Sequence, residues 1–116
     1  MAANVVRSVY ELLANTYGVT LMIEDNPEVS QVDTTDVVIL KNNPRRIGMV
    51  VINLSANSVY IRPQMTASAN AGIALVASGG SVSMNCIEDF HLPSLEWHAV
   101  ASGAGSAIYT VGIVIV

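Results

Sequence analysis

The sequence predicts a mainly β protein, an antiparallel β-sandwich or jelly-roll-like barrel of seven to eight strands with an N-terminal helix. Two observations carry this. From Val19 onward, short apolar runs of strand length recur, separated by turn signals at intervals of about 8–12 residues. No helical period alternates with those runs, which argues against a parallel α/β sheet. The division that follows is residues 1–18 as a helix or arm and 19–116 as the β-sandwich domain.

Between Asn4 and Tyr17, Val6, Val9, Tyr10, Leu13 and Tyr17 recur at spacings of three and four, which gives one apolar stripe along a helix. Gly18 stands where a left-handed cap would end it. "VTLMIED" is a candidate strand, and "NPEVSQVDTTD" reads as a polar, acidic connection. "VVILK" (Val37 to Lys41) is a strand stopped by "NNP". "IGMVVINL" (Ile47 to Leu54) and "SVYIRP" form a hairpin around Ser55–Asn57. Its first arm is apolar nearly throughout, so a strand there should be covered on both faces. "GIALVA" and "SVSMNC" flank the turn "SGG", and "LEWHAVAS" and "AIYTVGIVIV" flank "GAGS". There is no internal repeat and no second domain.

Charged residues are 12% of the 116-residue chain, about half the usual ~25% share, while apolar residues are 52%. A small monomer normally covers its surface with Lys, Arg, Asp and Glu, so the shortage implies that part of the exterior is buried in a homo-oligomer. A net charge of −4 argues against nonspecific nucleic-acid binding. No apolar stretch reaches the roughly 18–20 residues of a membrane span, and the first residues do not look like a signal peptide. The expectation is therefore a protein made in the cytoplasm, with no membrane and no nucleic acid among its partners. Cys86 is the single cysteine, so no intrachain disulfide can form.

Polar side chains with potential chemistry are few. "CIEDFH" brings Cys86, Glu88, Asp89 and His91 together in sequence, with Glu96 and His98 following. That spacing matches no zinc pattern, and a metal site needs a nearly complete ligand set. The stretch reads as a polar loop ending at Pro93, with Cys86 as a small buried apolar group. A Cys–His nucleophile pair has no support beyond residue type. "SGAGS" lacks the GK[ST] ending of a phosphate loop and lies between strands. Asn53 in "NLS" formally fits a glycosylation acceptor. Trp97 reads as core, and Phe90 with the four tyrosines makes no cluster typical of sugar binding. No enzymatic activity, catalytic residue, metal or cofactor is expected.

The stretch "NPRRIGMVVINLSANSVYIRP", followed by "GIALVASGGSV" and "EWHAVASGAGSAIYTVGIV", resembles small virion proteins of tailed bacteriophages. The matching residues are Asn43, Arg45, Arg46, Asn53, Ser55, Val59 to Ile61, Gly72 to Leu75, Gly79 to Ser81, Ser102 and Gly103, within a span of about residues 36–116. Arg62 departs from the pattern, which has glycine there. The resemblance implies a noncatalytic β-sandwich of the virion, a capsid decoration or cement protein. Such a protein self-assembles, with a trimer favoured, and binds the major capsid or other virion proteins. The alternatives are a head-fibre or tail accessory protein with receptor or glycan binding, and a cupin-like ligand-binding domain or enzyme. The last would need several histidines and has only His91 and His98.

The residues expected at a subunit or particle interface are Val6, Val9, Leu13 and Tyr17 on the helix, and Arg45. Arg45 is expected to pair across a subunit seam with a carboxylate of the acidic connection, which holds Glu28, Asp33 and Asp36. Arg46 reads as a solvated charge guarding the strand end.

Overall fold

The computed structural model of the chain describes residues 8–23 and 28–116. Helix α1 (Val9–Tyr17) starts at Ser8, whose hydroxyl accepts the Glu11 amide at 3.1 Å. It ends at Gly18, which adopts φ 67° and donates its amide to Ala14 O. The helix thus ends where the sequence places its stop. The expected first turn, with Val6, lies outside the described residues.

Nine strands follow: β1 (Leu21–Ile23), β2 (Glu28–Val32), β3 (Val37–Leu40), β4 (Arg46–Asn53), β5 (Val59–Pro63), β6 (Ile73–Leu75), β7 (Ser81–Asn85), β8 (Trp97–Ala101) and β9 (Ser106–Ile115). They form two antiparallel sheets. One runs β2-β9-β4-β7, with β1 also pairing with β9, and the other runs β3-β8-β5-β6. Omitting β1, the eight strands pair in jelly-roll order, two interleaved Greek keys. β4 occupies one edge of β9 from Val114 to Ile108, so β1 and β2 share the other edge.

The ninth strand is β2, where the sequence suggests a polar connection. "EVSQV" has only two apolar residues, and only Val32 is buried. What holds the segment extended is the backbone pairing of Glu28–Val32 with Thr110–Ser106, a long-range effect invisible to local pattern.

The core lies between the sheets. Met49 and Val51 of β4, Val59 and Ile61 of β5, Trp97 and Ala99 of β8 and Ile108 of β9 point inward. Trp97 is fully buried, as expected, and its indole N–H donates to Leu92 O at 2.9 Å.

Each end of the sandwich is closed by a buried polar side chain. At one end Asn53, fully buried, donates Nδ2 to the carbonyls of Asn57, Leu75 and Val76, while its Oδ1 accepts from the amide and hydroxyl of Ser55. This ties the β4–β5 turn to the β6–β7 turn. A side chain at Gly80 in the latter would lie 2.4 Å from the backbone of Val76, so the turn requires glycine there. Asn53 is therefore a structural hub, and its burial rules it out as a glycan acceptor.

At the other end Arg46 is 3% exposed, and its guanidinium donates to the carbonyls of Lys41 (2.8 Å), Pro93 (3.1 Å) and Leu95 (3.3 Å). The expectation of a solvated Arg46 is thus wrong. A register shift between Arg46 and Gly48 turns the side chain inward, and the loop carbonyls it meets need a donor. Arg45 is the exposed member of the pair; its amide donates to Asn43 Oδ1 and its carbonyl accepts from Ile115 N.

Arg46→Met should therefore lower unfolding stability by about 2–4 kcal/mol, because several buried carbonyls lose a charged donor. Arg45→Met should change it by no more than about 0.5 kcal/mol. Urea denaturation of the two variants checks this, and equal losses would contradict the assignment.

Candidate functional site

The outer face of the five-stranded sheet is the most unusual surface of the molecule. Along β9 the side chains of Tyr109, Val111, Ile113 and Ile115 alternate with the inward-facing Ile108 and Thr110. Register sets Ile52 opposite Tyr109 and Val50 opposite Val111, while Val29 of β2 flanks Tyr109 from the other edge. Only Ser81 and Ser83 of β7 continue these rows with polar groups. Among the described residues α1 and the chain at Cys86–Ile87 approach this stripe at its Ile115 end. Its members on β4 and β9 are partly buried, and Val29 is 61% exposed. The apolar second face of "IGMVVINL" thus exists, and no part of the described chain covers its middle.

Towards the Arg46 end the stripe runs into an apolar groove of about 220 Å³. Leu13 and Tyr17 of α1 form one wall, Leu21, Ile47 and Ile115 the floor, and Cys86 with Ile87 the far side. Of the helix residues expected at an interface, Leu13 is half-buried in this groove, whereas Tyr17 and Val9 are largely exposed. Among the described residues the helix therefore meets its own sheet through Leu13 and Tyr17, and Val9 is left exposed.

Cys86 and Ile87 belong to a short helix, α2 (Cys86–Asp89), in place of the polar loop that "CIEDFH" suggests. Asn85 caps it, its Oδ1 accepting the amides of Ile87 and Glu88, while Asp89 Oδ2 accepts the Asn85 amide. Local capping makes the helix, and the alternation read from "SVSMNC" stops one residue earlier. Cys86 is exposed, contrary to the expectation of burial, because the strand ends before it. After α2 a 3-10 turn (Leu92–Ser94) carries the buried Pro93. Between the two, Phe90 sits at φ 56°, ψ −121° and is 77% exposed. Those torsions match the first central position of a type II′ turn, which glycine dominates, and strain of this kind costs of order 1–3 kcal/mol.

The ionisable residues do not gather into one site. His98 lies on β8 in the other sheet, and neither Cys86 nor the exposed His91 is among its bonding partners. Its Nδ1 is 2.6 Å from Asp36 Oδ2 and its Nε2 is 2.9 Å from Glu96 Oε1. Carboxylates only accept, so this geometry requires an imidazolium with both N–H groups donating. A metal could bind His98 only by displacing a carboxylate. Asp36 Oδ1 also accepts the amide of Ala67 at 2.8 Å, which straps the β5–β6 loop across the outer face of this sheet. Beside the strap lies an open groove of about 450 Å³, lined by Tyr60, Val100, Asp36 and the polar residues Thr34, Thr66 and Ser68.

Asp33 is likewise engaged at home. Its Oδ1 accepts the Gly105 amide at 2.8 Å and Gln31 Nε2 at 3.3 Å, and these bonds hold its carboxyl below the usual carboxylate range. Asp33 and Asp36 thus each have bonding partners within the subunit. The side chain of Glu28 lies outside the described residues. The signal for the His98 cluster was present as alternating Glu96 and His98 on a strand. The third member, Asp36, lies 62 residues away in sequence, and only the β3–β8 pairing brings it near.

The Asp36 hydrogen bond raises the His98 pKa above the ordinary 6.5, Glu96 adds to it, and burial opposes it. A raised histidine pKa stabilises the fold fully below about pH 6.5, and that stabilisation is lost as pH rises through the folded-state value. Urea midpoints should therefore fall as pH rises from about 6 to 9, and His98→Gln should flatten this slope. An unchanged slope in His98→Gln would contradict the assignment.

No protein-family model matches the chain, and no curated protein matches it. One solved structure similar to it belongs to Bacillus endospore appendages, described as a novel family of disulfide-linked pili. The alignment covers 97% of this chain and 96% of that one, with a TM-score of 0.44 and 13% sequence identity. At that level the likeness concerns the course of the chain and says nothing of what either protein binds.

Proposed function

We propose that this chain is a noncatalytic structural protein of a bacteriophage particle, a capsid decoration or cement protein that assembles with copies of itself. The observation that carries the reading is the apolar face formed by Val50, Ile52, Tyr109 and Val111, whose middle no described residue covers, on a chain with half the usual charge. Contiguous apolar surface left accessible to solvent is characteristic of interaction sites. A closed cyclic oligomer is the default way to bury such a face, and the sequence resemblance to virion proteins favours a trimer and a shell as the partner. The residues shared with those proteins support the same reading. Asn53 at the end of β4 and Ser55, Gly79, Gly80, Ser102 and Gly103 in the adjoining turns all lie at one end of the sandwich, where they build structure.

A second reading, a fibre or tail accessory protein that binds glycans, is favoured by the groove beside Tyr60. An aromatic ring, the Asp36 carboxylate and several hydroxyls there suit a sugar.

Particles purified from lysed cells that carry the gene in its native setting should contain the chain in fixed ratio to a major shell protein. Recovery in the soluble fraction alone would contradict the proposal. Light scattering of the isolated chain should give about three times the 12.2 kDa mass. Val111→Lys should leave the melting temperature within a few degrees of the parent, since its side chain faces outward, and should weaken association by roughly tenfold or more. Unchanged association in Val111→Lys would place the interface elsewhere.

A further inference from the structure

We propose that Phe90 is the anchor of self-assembly and seats in the apolar groove of a second copy of this chain. This rests on the self-assembly reading above and names the contact.

Phe90 is presented in a way that folding alone does not explain. It is 77% exposed and takes torsions that suit glycine, so the chain bears a strained backbone to hold an aromatic ring in water. The loop that carries it is pinned on both sides. Asn85 and Asp89 fix α2 before it, while Arg46 and the Trp97 indole hold the carbonyls of Leu92, Pro93 and Leu95 after it. An exposed aromatic on a preordered loop loses little freedom on docking, which is the property of an interface anchor.

The groove is the matching half. Its lining is apolar, its volume is about 220 Å³, and a cavity of about 150 Å³ already takes up a benzene ring. Phe90 cannot fill it as folded, because its side chain stands in solvent. Ile87, on the short helix α2 that directly precedes Phe90, forms the groove's far wall, so knob and hole lie side by side at one end of each molecule. That arrangement lets two or more copies exchange anchors around a closed ring.

Charge at the rim favours a second copy over a foreign chain. Arg45, whose carbonyl accepts the Ile115 amide, and Glu88, which follows Ile87 in α2, are each next to a residue that lines the groove. Exchange of Phe90 brings Glu88 of each copy towards Arg45 of the next, a self-complementary pairing. Glu88 thus takes the place of Asp33 and Asp36 as the partner of Arg45.

Cys86 reports on this directly, since it lines the groove and is the single cysteine. Alkylation of Cys86 by a maleimide, followed by mass spectrometry across a dilution series of the full chain, is the test. In the assembled protein, alkylation should slow by roughly tenfold or more relative to the dissociated chain. Phe90→Gly should restore rapid alkylation and weaken association by a similar factor, while the melting temperature of the dissociated chain stays level or rises. Arg45→Glu should weaken association, and adding Glu88→Arg should restore it.

Assembly with Cys86 still fully reactive, or a Phe90→Gly variant that assembles like the parent, would overturn the anchor and leave self-assembly standing. A chain that stays monomeric at every concentration would overturn both. Protection of Cys86 seen only after adding phage particles would make the particle, and not a second copy, the occupant.

Discussion

The pairing of β4 with β9 is the constraint on which the rest of this structure depends. These two strands are the centre of the larger sheet, and both carry apolar side chains on both faces. One set, with Met49, Val51 and Ile108, closes the core against Trp97 and Ile61 of the facing sheet. The other set can only face outward. A strand of this composition is ordinary in a parallel sheet sheathed by helices on both sides. Here the fold is a two-layer sandwich, so the second face has no layer of its own. The shortage of charge is the same fact seen in composition, since an assembly face has little use for Lys and Glu at its centre.

The two ends of the sandwich divide the remaining work. At one end the turns are held by a closed set of hydrogen bonds around Asn53 and Ser55, with Asn57 reaching Ser106 and Ser106 reaching the Gly103 carbonyl. At the other end Arg46 spends its donors on three loop carbonyls, and the loop it fixes displays Ile87 and Phe90. Rigidity inside the subunit is thus what makes the apolar residues available outside it. The His98 cluster belongs to the opposite sheet and acts locally, fastening the β5–β6 loop through Asp36.

Much of the fold was legible in the sequence because its signals are local. The Gly18 cap, the "SGG" and "GAGS" turns and the greasy β4 and β9 runs each announce themselves within a few residues. The jelly-roll pairing was consistent with strand count and spacing, but β2 was not visible, because "EVSQV" is extended by its partner and not by its own composition. The candidate site was half legible. An apolar second face on β4 and an exposed role for Arg45 follow from pattern. The burial of Arg46 does not, since it depends on a register shift and on carbonyls about 50 residues away. Nor does the display of Phe90, which depends on a backbone torsion that a sequence of ordinary loop residues does not advertise. Nor were the bonds of Asp33 and Asp36 within the subunit legible, to the Gly105 amide and to His98, since their partners lie 72 and 62 residues away.

Hydroxyl-radical footprinting of the two tyrosines that face outward from opposite sheets tests the central claim most directly. Tyr109 lies in the uncovered stripe of the larger sheet, and Tyr60 lies on the outer face of the smaller one. If the stripe is the assembly face, Tyr109 should be oxidised readily in dilute, dissociated chain and protected at concentrations where the chain assembles, with Tyr60 changing little. Equal oxidation of Tyr109 in both states, in a sample that has demonstrably assembled, would contradict the account.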